Sequence, residues 1–492
     1  MKNIFKKIIL SSTVLVLINC SEERFNVLPN HQDTPTTVFT TENNYRLVVD
    51  GAYDAFKSPT YYNGDTGNSI ILGDILADNL IISPQGRGTN RIAYEWSYTP
   101  LDNAVTALYS SAYFVISRAN LVLDNINNVP YTPYMKNIEA EAKAIRAIAH
   151  FDIARAYAKI PTQSADAPTS MGIAYVTTFN PAQLPSRDAT VTQTYDKIIA
   201  DLQDALSKIN TSNGGVGRLN KASVLGYLSK VYLYKGDYPN SVLYGEQAIT
   251  ASPSVGSLAN FPGIWTDRLD ISDDGEIFTI LNANLATDNI NVGVAYNQNA
   301  SGIRSESYVN YDLFTKYGST DVRKSAYVLT ANYANVPYNH VIKYRTRTGQ
   351  TVAQVVDVKL LRSADVYLTV AEAHMKSSTP NPTRALSLLN TLRGQRYSSY
   401  VPGTETGTAL LDAIMSERRL EMAFENDRFW TIKRLGLPVV RSSFGSTVDG
   451  GGTDGPTGAL QTLPASSHRF VLPIPQDAIN VNPNIKQNPG YN

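Results

Sequence analysis

The sequence predicts a mainly α fold, a TPR-like helical repeat scaffold carrying long loop-rich and short β insertions. Three observations predict it. Apolar residues recur at three- and four-residue spacing through several long segments. One of these, Ala222 to Pro253, sets large and small residues at tetratricopeptide spacing. Between the helical segments lie Gly-, Asn-, Ser- and Tyr-rich stretches that a bare scaffold does not need.

The chain opens with Lys2, Lys6 and Lys7, followed by an apolar run from Ile8 to Ile18 interrupted at Ser11, Ser12 and Thr13. A helix of this length reaches roughly 16 Å, about half a bilayer core, so it suits a cleaved leader better than a span. The run ends at Cys20, the single cysteine of the chain. A thiol at that place is what lipoprotein processing modifies with diacylglycerol, so residues 1–19 read as a lipoprotein signal peptide and Cys20 as the lipidated residue. Bacterial lipoboxes usually carry Gly, Ala or Ser before the cysteine, where this chain has Asn19. Residues 20–37 are polar and aperiodic and read as a tether. Residues 38–492 read as one domain.

Helical periodicity then appears from Asn43 to Phe56, Ala104 to Ile126, Ile138 to Ala158 and Val191 to Ile209, the last preceded by a capping signal at Asp188-Ala189-Thr190. In Ala222 to Pro253, Leu225, Leu228 and Tyr232 supply a first helix and Lys235-Gly236-Asp237 a turn. Ser241 and Gly245 are small enough for a close crossing by the second. A second, degenerate pair runs from Asp365 to His374 and Thr383 to Leu392 across Asn381-Pro382. The TPR-like helices are thus expected at about 104–255 and 360–435, and loop-rich ligand or partner regions at about 60–100 and 251–345. Gly445 to Ser467 is a further Gly/Ser/Thr segment, and Glu276 to Ile280 reads as β.

Composition excludes several function classes. Lys+Arg and Asp+Glu balance at 43 each, so no basic field exists to hold nucleic acid. Charged residues are only 17% while tyrosines number 30, a surface suited to neutral polar ligands met by stacking and hydrogen bonds. The five histidines lack metal-ligand spacing, and no phosphate loop, dinucleotide fingerprint or nucleophile elbow occurs, so neither metal nor cofactor is expected. Asp449 to Gly455 lacks the bidentate glutamate of a calcium loop and reads as a plain loop. Glu417, Glu421 and Glu425 share a helix face, as a glycosidase pair would. Arg418, Arg419 and Arg428 beside them would keep them ionised, so a structural ion-pair network is expected, not an enzyme. The candidate ligand contacts are loop aromatics, Tyr61, Tyr62, Trp96, Tyr98, Tyr296, Tyr308 and Tyr311, with Asn63, Asn68, Arg87 and Asn297 to meet hydroxyls. Trp265 and Trp430 are assigned to the core.

Taken in order, a set of motifs resembles the SusD/RagB family of outer-membrane nutrient-binding lipoproteins. They include Gly73-Asp74-Ile75-Leu76-Ala77-Asp78-Asn79, Glu141 to Ala147, Gly236-Asp237-Tyr238 and Leu361 to Leu368. Glu417-Arg418-Arg419-Leu420-Glu421 with Phe424 to Arg428, Leu472-Pro473-Ile474-Pro475 and Gln487-Asn488-Pro489-Gly490-Tyr491 follow. One departure is Trp430-Thr431 before Lys433-Arg434, where the family commonly has Asp, so the local ion pair of the family is not carried over. The resemblance implies TPR-like units beneath a loop-rich ligand surface and a lipid-anchored place on the outer membrane, facing outward. It also implies a SusC-like TonB-dependent barrel as partner, with oligosaccharide cargo or, alternatively, peptide. Ser21-Glu22-Glu23 is similar to the short signal that sends such lipoproteins to the cell surface.

Overall fold

The computed structural model of the 492-residue chain describes residues 35–64, 67–83, 86–211, 215–251, 255–266, 276–282, 293, 296, 304–333, 335–344, 356–442 and 460–491. The leader, Cys20, most of the tether, Asn297 and Asp449 to Gly455 lie outside the described residues.

Helix α1 (Glu42–Phe56) is capped by Thr41, whose side chain accepts from the Asn44 N–H, and it buries Tyr45, Val49, Ala52 and Phe56 on one stripe. Helices α2 (Asn103–Asp124) and α3 (Pro133–Tyr157) follow. The α3 helix starts earlier than periodicity predicts, because Pro133 occupies its first turn, where a missing N–H loses no bond, and Thr132 caps it. Helix α4 (Val191–Lys208) has a full capping box, in which Thr190 accepts from Gln193 N–H and Gln193 accepts from Thr190 N–H.

Helices α5 (Lys221–Lys235) and α6 (Tyr238–Ala251) form the TPR-like pair. Gly236 ends α5 in the left-handed region at φ 84°, which glycine reaches without a Cβ penalty. The crossing is sealed by two reciprocal bonds, Ser229 Oγ to Ser241 O at 2.7 Å and Ser241 Oγ to Ser229 O at 2.8 Å. A Cβ on Gly245 would overlap Val370 Cγ2 and stand 2.6 Å from Ser229 Oγ, so this glycine lets α6 touch helices on two sides.

The second of those neighbours is α7 (Ser363–Lys376), which is followed by α8 (Pro382–Gly394) and α9 (Gly407–Glu421). Each helix from α1 to α8 packs on its successor, and α7 also packs on α9. The α6–α7 contact bridges more than a hundred residues, so the chain leaves the helical array after α6 and returns to continue it. What leaves is β-rich. It carries β2 (Ile277–Leu281), β3 (Ser307–Val309), β4 (Val328–Tyr333), β5 (Val336–Val341) and β6 (Val358–Arg362), and β1 (Leu80–Ile82) joins them from the N-terminal segment. Strands β1, β3, β5 and β4 form one antiparallel sheet in that order, and β2 pairs with β6.

The segment from Thr60 to Pro100 departs from the loop expected of it. Asn68 caps a helix, Ser69–Ile75, in which every residue is buried, and β1 is buried throughout. Its apolar residues, Ile70, Ile71, Leu72 and Ile75, join the main core, so much of this stretch is interior.

Candidate functional site at the sheet corner

The carboxylates that look catalytic in sequence are consumed by arginines. Glu421 is fully buried and receives Arg362 at 2.6 Å and Arg323 and Arg396 at 3.0 Å each. Burial alone would push its carboxyl up, but Arg396, Arg362 and Arg323 together hold it well below the usual range. Glu417 is held by Arg323 at 2.6 Å and Arg393 at 2.8 Å, and Glu425 by Arg362 and Lys343 at 2.6 Å each. Arg428 grips Asp78 through two 2.7 Å bonds. Where the family aspartate is replaced, Thr431 Oγ1 donates to Asp427 Oδ2 at 3.0 Å, Lys433 donates to the carbonyls of Arg155 and Ala158, and Arg434 pairs with Glu372. Among the described residues no cluster of His, Cys, Asp and Glu is arranged to hold a metal ion.

Most of the candidate ligand contacts are placed inside. Tyr61 and Tyr62 both donate to Asp152 Oδ2 at 2.7 Å. Asn63 is a turn residue, its amide donating to Lys57 O and its Oδ1 accepting from Gly64 N–H, and Asn68 is the buried cap described above. Trp96 donates to Leu76 O at 2.9 Å while the Arg441 guanidinium covers its ring at 3.9 Å. Tyr98 donates to Arg469 O, and Tyr296 stacks on Tyr344 at 5.9 Å. These side chains therefore present no open ring face to a ligand. Trp265 and Trp430 are buried core residues, as expected.

Tyr308 is buried as well, but Arg87 and Tyr311 keep exposed surface. The β1–β3 pairing puts the loop after β1 against Glu306, whose side chain is 1% exposed. Its carboxylate accepts from Arg87 N–H at 3.0 Å, Arg87 Nε at 2.8 Å and Gly88 N–H at 3.2 Å. A Cβ on Gly86 would stand 2.8 Å from Glu306 Oε2, so the loop needs glycine to close on the carboxylate. The result is a half-exposed guanidinium on a rigid mount. Behind it Tyr308 stacks on Tyr338 at 4.2 Å and 12°, accepts from Ser83 Oγ at 3.1 Å, and meets His340 edge-on. The β4–β5 hairpin adds exposed Thr330, Asn332 and Asn335, with the half-exposed Tyr333 ring 5.8 Å from the Arg304 guanidinium. Asn335 turns the hairpin at φ 65°, a conformation Asn tolerates better than most residues. Tyr311, half-exposed, begins the short helix Tyr311–Lys316 directly after β3. Tyr308 and Tyr338 are buried and brace the sheet from within, so what the corner offers outward is a fixed cation, the exposed Thr330, Asn332 and Asn335, and the half-exposed ring of Tyr333, a set that meets hydroxyl groups and the C–H faces between them. Glu306, Arg304, Tyr333 and Tyr338 escaped sequence reasoning. No local signal marks them, because the Glu306–Arg87 pairing spans 219 residues.

A separate cleft of about 480 Å³ opens between α1 and the end of β2. Its walls carry Asp50, Asp54, Lys57, Arg218 and Asn282, with Arg218 pairing with Asp50 and lying 5.4 Å over Tyr53.

Two family models match the chain in tandem. One described as starch-binding associating with outer membrane covers residues 40–233, and the SusD family model covers residues 285–491. The chain is 22% identical to SusD-like protein P38 of Formosa agariphila over 88% of its own length and 92% of the relative's. Among solved structures it is similar to a putative sugar binding protein from Bacteroides vulgatus, with 25% identity, 92% and 98% coverage and a TM-score of 0.79. A SusD superfamily protein from Bacteroides thetaiotaomicron matches at 25% identity, 92% and 100% coverage and a TM-score of 0.78. The helical array, its β-rich excursion and these matches over both halves agree, and the chain belongs to the SusD/RagB family.

Proposed function

We propose that this protein is a surface-exposed outer-membrane lipoprotein that captures an oligosaccharide and hands it to a SusC-like TonB-dependent barrel without chemical change. The observation that carries the reading is the sheet corner of a SusD/RagB chain, where the half-exposed Arg87 is held by the buried Glu306 in front of a packed tyrosine pair. It is supported by the structural relative described as a putative sugar binding protein. A guanidinium fixed in place bonds hydroxyls at little ordering cost, and the half-exposed ring of Tyr333 matches the apolar face of a sugar ring. The carboxylates nearest in type to a glycosidase pair are spent on arginines, which favours binding over hydrolysis. Anchoring is assigned to Cys20. No helix of the described residues is long and apolar enough to cross a membrane, and passage through the bilayer is assigned to the partner.

Oligopeptide cargo is the second reading, and the 480 Å³ cleft is the place that would hold it, with Asn282 beside the Asp50–Arg218 and Asp54–Lys57 ion pairs. Gentle detergent extraction with affinity purification tests the function. The expected result is a barrel at near-equal stoichiometry and a saccharide identified by mass spectrometry in the complex. Recovery of this chain alone, or of peptide in place of sugar, contradicts the first reading, and outer-membrane retention of Cys20→Ala at wild-type level contradicts the anchor.

A further inference from the structure

The C-terminal motif Gln487 to Tyr491 takes no part in the sheet corner, yet it builds one wall of a second cavity. That cavity, about 540 Å³, lies between the loop after α3 and the segment from Ala465 to Val471. Its volume is within the range of small-ligand sites. Met171, Val471 and Pro489 give it apolar walls.

His468 is the feature that sets it apart from a surface crevice. The ring is exposed, but its back is fixed. Gly490, at φ 90°, lies so close that a Cβ there would stand 2.6 Å from His468 Cγ and Cδ2. Tyr491 meets the same ring edge-on at 5.0 Å and 76°, and is itself tied down by a 3.0 Å bond from its hydroxyl to Val471 O. Tyr98 stacks on Tyr491 at 6.3 Å and donates to Arg469 O. Asn488 closes the base, its amide donating to Tyr157 O at 2.9 Å and Leu472 O at 2.7 Å. Burial, then the neighbouring Arg469, holds the imidazole below its ordinary value, so the ring is neutral at neutral pH.

The rim is polar and balanced. Gln163 Oε1 accepts from Ile160 N–H at 3.1 Å, which orients the amide and leaves its NH2 uncommitted. The exposed Ser466 hydroxyl also has no partner among the described residues. The two charged groups, Lys159 and Asp166, neutralise each other at 2.5 Å. A preformed pocket with apolar walls, an immobile neutral ring, spare donors and no net charge fits a neutral polyhydroxylated ring.

The structure assigns to this pocket, we infer, a second saccharide site for a neutral one- or two-ring unit, whose C–H face packs on His468, Met171 and Val471 while its hydroxyls meet Gln163 and Ser466. The inference rests on the saccharide reading above and shares no residue with the sheet corner.

Hydrogen exchange of the full-length protein, with a panel of neutral α- and β-linked disaccharides such as maltose, cellobiose and laminaribiose, tests it. Expected is slowed exchange in residues 160–171 and 465–471 with at least one of them. His468→Ala should weaken that binding about tenfold, the scale of one lost contact. Ala465→Trp, which fills the cavity from an exposed position, should abolish it, and Arg87→Ala, which weakens only the sheet corner, should leave the slowed exchange of residues 160–171 and 465–471 in place. Disaccharide binding that survives Ala465→Trp and is lost in Arg87→Ala overturns the second site alone. Absence of saccharide binding anywhere overturns both this inference and the saccharide reading.

Discussion

Arg362 and Arg87 both grip buried glutamates, and they differ in what else they can meet. The Arg362 side chain is 1% exposed and divides its donors among Glu276, Glu421 and Glu425, while the Arg87 side chain, paired with Glu306, is 47% exposed. In the first place every charge is answered from within, so nothing is left for a ligand and the cluster serves to lock β6, α8 and α9 together. In the second, the side chain is paired with a buried acid and still about half exposed to solvent. The same residue pair is therefore structure at one site and a presented binding group at the other, and burial decides which.

That contrast predicts unequal effects. Glu421→Gln, which withdraws the shared partner of three buried arginines, is expected to destabilise the protein by about 3–5 kcal/mol in denaturant unfolding. A loss below about 1 kcal/mol would show that the network is not what holds this region.

The pH dependence of the interior separates two kinds of buried acid. Burial raises the Asp74 carboxyl from its ordinary 3.8 to about 7, although Asn79 and the Phe424 N–H bond its charged form. Because the folded state holds this proton more tightly, the contribution of Asp74 is fully present below about pH 3.8 and is lost as pH rises toward 7. Glu372 behaves in reverse. Burial works against its charged form, but Arg434 and Lys376 bring it from 4.5 to about 2, so its contribution is present above about pH 4.5 and lost as pH falls toward 2. Asp74→Asn should flatten the upper slope and Glu372→Gln the lower one, in unfolding midpoints measured across pH. Identical profiles for the two variants would contradict the assignment.

The helix crossing gives a smaller effect. Gly245→Ala forces a Cβ onto Val370 and Ser229 and should cost about 1–3 kcal/mol. Gly236→Val, strained by its left-handed backbone and set 2.9 Å from Thr162 Cγ2, should cost about 1 kcal/mol or more. An unchanged melting temperature in either would mean that the TPR-like pair adjusts where it reads as rigid.

The helical half of this molecule was legible because its causes are local. Thr190 and Gln193 cap α4 three residues apart, and Gly236 sits where the turn needs it, so short-range pattern was sufficient. The segment from Thr60 to Pro100 was misread as open loop because its causes are distant. Tyr61 and Tyr62 look like exposed aromatics until Asp152, some ninety residues on, takes both hydroxyls. Glu306 and Arg87 become partners only through strand pairing, and His468 becomes a fixed ring only because Gly490 and Tyr491 close behind it. Of the candidate contacts, Arg87 and Tyr311 keep exposed surface, and the burial that removed Tyr61, Trp96, Tyr98 and Tyr308 from it is a property of the fold that composition does not carry.

Arg87 closes the series with the smallest effect on stability. Arg87→Ala should cost no more than about 1 kcal/mol, since two backbone N–H groups still hold Glu306 and water replaces the half-exposed guanidinium. Its effect on ligand should be larger, and calorimetric titration of neutral oligosaccharides into wild type and Arg87→Ala, with the sugars analysed afterwards, tests the central claim most directly. The account predicts binding by the wild type, affinity reduced about tenfold or more in the variant, and sugars recovered at their original length. Equal affinity in the two proteins, no binding by the wild type, or shortened sugars from purified protein would contradict it.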